Sequence, residues 1–274
     1  MPTSIQPAIP ERALNRLRHS IAEKGTTLIA ESGIVFVCGA RQAPNKDGAR
    51  DRLVQYAKKH LQGFDFFMAE DVFDAWALPT RPTLLRIERL LADYSDCIIM
   101  ILETPSVFAE LGAFSAHKPL VKKLLVINDV RFKKTPSFVT LGPLAEINAR
   151  SRFKPVIYTD LSSILGVATA IKETLASVRR QKGQRVDLSS LQMFQSATAK
   201  HRMLFLRDVV WLFAPLRITD LVHIFRELYG KVRFDVHLHI RLLSALGFVY
   251  EVKKSGYYFP SLLSKLAKKP SRAD

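Results

Sequence analysis

Over the first two thirds of the chain, short apolar runs of strand length alternate with stretches that repeat apolar residues at helical spacing. The runs are GIVFVCGA (33–40), FDFFMA (64–69), DCIIMIL (96–102), KLLVIN (123–128) and KPVIY (154–158). Unbroken runs of this kind are what strands become when helices cover both faces of a parallel sheet. Between them, 51–61, PTLLRIERLLADY (82–94) with proline near its first position, and 105–116 read as helices, and a long helix spans about 161–180. The rhythm predicts an α/β domain over 31–182, a doubly wound parallel sheet of the Rossmann or flavodoxin kind, behind an N-terminal extension over 1–30.

The pattern breaks at RRQKGQ (179–184), which places a boundary between Lys182 and Ser190. From 190 to 274 the order changes to helix (200–213), helix (RITDLVHIFRELYG, 217–230), helix (234–246) and hairpin (FVYEVKKSGYYFP, 248–260). Thr219 or Asp220 supplies a cap for the second helix, and Gly230 and Gly247 supply stops. This is the order of a smaller C-terminal winged helix-turn-helix domain. Such a module presents its third helix, with His237, His239 and Arg241, and a basic hairpin tip, with Lys253 and Lys254, to nucleic acid. The same arrangement serves equally as a protein docking surface.

Charge sharpens that reading. The formal net charge is +16, and residues 179–274 carry +11 of it, with 18 Lys and Arg against seven acids. A basic excess attracts polyanions. The apolar runs are too short to cross a bilayer and residues 1–12 lack a signal-peptide core, so the expectation is a cytoplasmic protein that does not engage membranes. Cys38 and Cys97 both sit in strand-like runs, which argues against a disulfide framework. His223, His237 and His239 do not make a metal site, since 237 and 239 point in different directions on a helix, and no metal or cofactor is expected. Phe64, Phe66 and Phe67 read as core, whereas Tyr257 and Tyr258 either stack on bases or close their domain.

Ligands of open parallel sheets lie beyond the carboxyl ends of the strands. The residues there are Cys38, Gly39 and Ala40 after the first strand, Glu70 and Asp71 after the second, and Glu103, Thr104 and Ser106 after the third. A helix from Pro105 puts Val107, Leu111 and Phe114 in one apolar stripe and Glu110 at its margin, pointing inward. Glu110 comes four residues after Ser106 and six after Thr104, the wrong spacing for a capping box. Glu88, on the helix before the third strand, supplies a second carboxylate. The pair suits a nucleophile and a partner that orients a sugar hydroxyl or handles a proton.

The runs IERLLADYSDCIIMIL and SVFAELGAF resemble the nucleoside deoxyribosyltransferase family at Glu88, Asp96, Glu110, Leu111, Gly112 and Ala113. That resemblance implies that Glu110 attacks the anomeric carbon, that Glu88 contacts sugar or base, and that the chain self-associates. With VFVCGA, AEDVFD, ELGAFS and a C-terminal winged helix taken together, the chain resembles the nucleoside deoxyribosyltransferase-like toxic effectors encoded beside bacterial retrons. This implies an anti-phage N-glycosidase acting on NAD or a related nucleotide, restrained by a reverse transcriptase with its branched RNA-linked DNA. Thr104 stands where the transferases carry a further acid, with Glu103 one place earlier, and Pro105-Ser106 replaces their glycine-containing loop, which favours a substrate other than a deoxynucleoside. Cationic nicotinamide departs without a proton donor, so one inward carboxylate suffices for it. The rival reading is a DNA-binding regulator whose α/β domain senses a nucleotide.

Overall fold

The computed structural model describes residues 9–28, 32–40, 48–73, 84–176, 184–231, 234–252 and 255–261. The chain divides into two compact units, Glu31–Arg180 and a discontinuous one made of Met1–Ala30 with Gln181–Asp274.

The first unit is α/β. Its five strands are β1 (Gly33–Cys38), β2 (Phe64–Phe67), β3 (Cys97–Ile101), β4 (Leu124–Asp129) and β5 (Ile157–Thr159). They pair in parallel in the order β2-β1-β3-β4-β5, with Val35 opposite both Phe66 and Cys97. Every residue of β1, β3 and β4 is buried, which is why those runs show no polar alternation. Strand order reverses between β1 and β3, the position where doubly wound sheets open toward a ligand.

Helices α1 (Ala49–His60), α2 (Ala69–Phe73), α3 (Leu84–Tyr94), α4 (Pro105–Ser115), α5 (Pro143–Arg150) and α6 (Ala168–Ala176) complete this unit, with shorter turns between some of them. Ala49, Leu53, Val54 and Ala57 of α1 pack on Val35, Val37, Ile99, Ile101, Leu125 and Ile127, the residues of one sheet face. Truncating any of the large residues to alanine costs about 2–5 kcal/mol. Gly39 allows α1 to approach β1, because a Cβ there would stand 2.7 Å from the Arg50 Cβ. The single helix expected over 161–180 is not observed. Leu161–Val167 is a 3-10 stretch with Ser163 off helical geometry (φ −112°, ψ 38°), started by Asp160 accepting the Ser162 N–H, and the α-helix begins only at Ala168. Asp96 lies at the amino end of β3, where it accepts the Ile34 N–H at 2.9 Å, so this residue of the recognised motif ties the sheet together.

In the discontinuous unit, helix Glu11–Lys24 leads into strand Thr26–Leu28, which pairs antiparallel with Gln184–Val186. The described residues 9–28, expected as an N-terminal extension, group with the C-terminal residues in this unit. Helices Leu191–Ser196, Ala199–Phe213, Ile218–Tyr229 and Val236–Ala245 follow. An antiparallel sheet sets Tyr257–Pro260 between Leu216–Arg217 and Val249–Glu251. The core is aromatic: Phe194 stacks on Tyr229 at 4.5 Å between ring centroids, Phe225 meets Phe234 at 4.8 Å, and the Tyr229 hydroxyl donates to the Leu188 carbonyl at 2.8 Å. Among the described residues, no helix is long and apolar enough to cross a membrane.

Candidate active site

The carboxyl end of β1 delivers Cys38, Gly39 and Ala40 to the point where strand order reverses. Cys38 is 4% exposed, and its thiol lies close enough to Glu110 to help hold that carboxyl down. Glu110 reaches it from α4, where Val107, Leu111 and Phe114 are buried and fix the rotation of the helix. Pro105 starts α4 at its first position, and Thr104 makes no side-chain cap. The inward orientation read from the apolar stripe is the one observed, and Glu110 is half-buried.

Three further carboxylates surround this pair. Glu88, half-buried on α3, and Glu70, at the start of α2, both act electrostatically on it. Glu103 follows β3 and bridges backbone, accepting the Ala40 N–H at 2.9 Å and the Ala49 N–H at 3.3 Å, so it neutralises the first turn of α1. Among the described residues, one cation is buried with them. Arg50, 5% exposed, donates from Nη2 to Glu70 at 2.6 Å and to Asp51 at 3.4 Å, and from Nη1 to the Gly39 carbonyl at 3.5 Å. Sequence reasoning missed Arg50 and Asp51, since both look like surface positions in the first turn of a charged helix.

This imbalance sets the protonation states. Burial, and then the neighbouring Glu110 and Glu70 charges, push Glu88 up to about 7. Burial also raises Glu110, opposed by the Cys38 thiol and the Arg50 charge. Cys38 is pushed well above the usual thiol range by burial and by the Glu110 and Glu88 charges, so it stays neutral beside the carboxylate. The arrangement offers a supported carboxylate beside a carboxyl that titrates near neutrality, the combination used for nucleophilic and acid-base chemistry.

Other residues around these loops have their own partners. Asp71 accepts the Met68 N–H at 2.9 Å and caps its own turn. Ser106 is exposed and 3.0 Å from the Thr104 hydroxyl. His117, at the far end of α4, accepts a hydrogen bond from Arg89 at 2.7 Å. In the discontinuous unit His237 is exposed, but His239 is not available to a nucleic acid: it is 5% exposed, packs 4.0 Å from the Phe234 ring and sits 2.6 Å from the Asp235 carbonyl. Burial pushes its pKa down to about 4. The sequence carried the signal, because Val236, His239, Ile240 and Leu243 form one helical stripe. Arg241 is half-buried with Nη1 enclosed, and Lys253 and Lys254 lie outside the described residues. Among the described residues, no group of three or more His, Cys, Asp or Glu is arranged to hold a metal ion.

Fold and site together define an α/β protein with an acid cluster at the switch point of an open parallel sheet. The chain belongs to the STM3845 retron effector protein family, whose model matches residues 46–252. It is similar to an Escherichia coli protein described as "Retron Ec73 putative ribosyltransferase/DNA-binding protein", at 29% identity over 259 residues, covering 82% of this chain and 78% of the relative. It is also similar to the corresponding Escherichia coli protein of retron Ec86, at 39% identity over 121 residues, covering 43% of this chain and 39% of that relative. The chain is therefore a retron effector, and its relatives carry names of glycosyl-transfer enzymology.

Proposed function

We propose that this effector is an N-glycosidase that cleaves NAD or a related nucleotide, with Glu110 as nucleophile. The observation that carries the reading is the half-buried Glu110 carboxylate beside the buried, neutral Cys38 thiol at the switch point of the sheet. In the first step a Glu110 oxygen bonds to the anomeric carbon as the carbon–nitrogen bond breaks, and the bonding pair leaves with the base. Nicotinamide departs neutral because it was bound as a cation. Water then attacks the glycosyl ester, releasing the sugar and restoring the carboxylate. Glu88 orients a ribose hydroxyl, or protonates a leaving base that is not cationic. Cys38, Gly39 and Ala40 present backbone to the substrate, and Glu103 holds that backbone in place.

The order of helices and the three-stranded antiparallel sheet support a winged helix-turn-helix reading of the discontinuous unit. His237, Lys253 and Lys254 are the residues we assign to nucleic-acid contact. Their partner is the branched RNA-linked DNA held by the reverse transcriptase of the retron, which restrains the toxin in the cytoplasm until phage infection. A second reading, a DNA-binding regulator that senses a nucleotide, is favoured by the DNA-binding half of the relatives' names. One experiment separates the two. Purified protein and Glu110→Gln are incubated with NAD and a panel of nucleosides and nucleotides, and the products are resolved by chromatography. The enzyme reading expects base release by the wild type and a loss of about a thousandfold or more in the folded variant. Failure of the wild type to cleave any of them favours the regulator.

A further inference from the structure

A cavity lies on the same edge of the sheet as the acid cluster, beyond the carboxyl ends of β3, β4 and β5. It has a volume of about 760 Å³, and its lining includes Glu103, Phe108, Asp129, Arg131, Phe132 and Asp160. It is a cleft half open to solvent, and its size falls in the range of small-molecule sites, about 300–1,000 Å³. The sequence signals nothing here, because these residues come from three separate loops and from a helix face turned away from Glu110.

The lining chemistry is selective. Phe132 leaves 46% of its surface to water, and with Phe108 it offers flat apolar surface of the kind on which a base stacks. Of the three carboxylates, two are already neutralised. Glu103 accepts two backbone N–H groups, and Asp129 accepts from the Arg131 backbone N–H at 2.8 Å, from its Nε at 3.0 Å and from its Nη2 at 2.8 Å. Asp160 uses Oδ1 for the Ser162 N–H at 2.8 Å and is exposed, which leaves acceptor capacity for hydroxyl groups. The bidentate pair with Asp129 fixes the Arg131 guanidinium while 77% of its side chain stays exposed, so its Nη1 is positioned to donate to an anion.

We propose that this cavity binds a nucleoside monophosphate moiety, its base on Phe132, its ribose hydroxyls on Asp160 and its phosphate on Arg131. Glu103 belongs to both places, lining this cavity and holding the Ala40 and Ala49 backbone beside Glu110. The cavity therefore takes the non-reacting half of a dinucleotide whose other ribose lies at Glu110, a conclusion that rests on the glycosidase reading. Selectivity for dinucleotides over mononucleotides follows.

The test is calorimetric titration of the full chain with adenosine monophosphate, using wild type, Phe132→Ala and Asp160→Asn. The first variant changes an exposed ring, and the second retains an oxygen for the Ser162 N–H, so both keep the fold. Loss of the stacking surface weakens binding about tenfold. In parallel, kcat/KM for NAD falls by the same factor and kcat/KM for nicotinamide mononucleotide is unchanged. No binding by the wild type at millimolar ligand, or equal binding by all three proteins, overturns the proposal. If the wild type cleaves neither substrate, the glycosidase reading fails, and the titration still decides whether the cavity is a nucleotide site.

Discussion

In the discontinuous unit, acids are matched to backbone donors. Asp220 is buried and accepts the Arg217 N–H at 2.9 Å, and Asp235 accepts the Leu238 N–H at 2.9 Å, each at the start of a helix. His239, buried beside Asp235, is kept neutral. In the α/β unit, Glu88 and Glu110 are half-buried within electrostatic reach of one another, with Glu70 nearby and Arg50 paired to Glu70. The first arrangement stabilises local structure and leaves no reactivity behind. The second holds carboxylates where their charge is disfavoured, which costs stability and keeps them chemically available. Acids that cap helices mark the fold, and acids left facing one another mark a place where a substrate can supply what the protein withholds.

That contrast can be broken most strongly at Arg50. Arg50→Gln leaves Glu70 without its buried partner, and chemical denaturation should show a loss of about 3 kcal/mol. Because the Arg50 charge holds Glu110 down, the acidic limb of the cleavage pH profile should also move to higher pH, and Arg50→Lys should recover part of both effects. A cap in the other unit should matter less. Asp235→Ala should cost about 1 kcal/mol in the same measurement, with cleavage of free substrate unchanged.

The effect at Glu88 is the most diagnostic, because its sign is reversed. Glu88 has a folded pKa of about 7, above its ordinary value of 4.5. A carboxyl raised on folding favours the native state while protonated, so the wild type loses stability as pH rises from about 4.5 to about 7. Glu88→Gln removes that loss. Its melting temperature should draw ahead of the wild type across this interval and hold a constant lead above it. A variant that melts lower at pH 8 would show that Glu88 is stabilised as an anion and would remove the contrast between the units.

Much of the α/β unit was legible because its strands are buried on both faces, which leaves long apolar runs whose meaning depends little on context. Glu110 was legible for a related reason: an acid at the margin of the Val107, Leu111, Phe114 stripe has to face the sheet. Arg50 was not legible, since a basic residue in the first turn of α1 is an ordinary surface choice until Gly39 brings β1 against it. Glu103 was read as a ligand contact, but its bonds to Ala40 and Ala49 depend on three loops meeting, a long-range fact with no local pattern. The two-residue strand Leu216–Arg217 and the 3-10 stretch at 161–167 fall below the length at which periodicity discriminates.

The antiparallel pairing of Thr26–Leu28 with Gln184–Val186 makes the α/β unit an insertion within the other one. During synthesis the first strand leaves the ribosome long before its partner exists, while all five strands of the parallel sheet emerge in between and can assemble as a folding unit of their own. The order of translation thus delivers the unit with the acid cluster first and completes the discontinuous unit last. On the proposed function, a nascent or C-terminally truncated chain would carry the glycosidase site without the module assigned to its restraint.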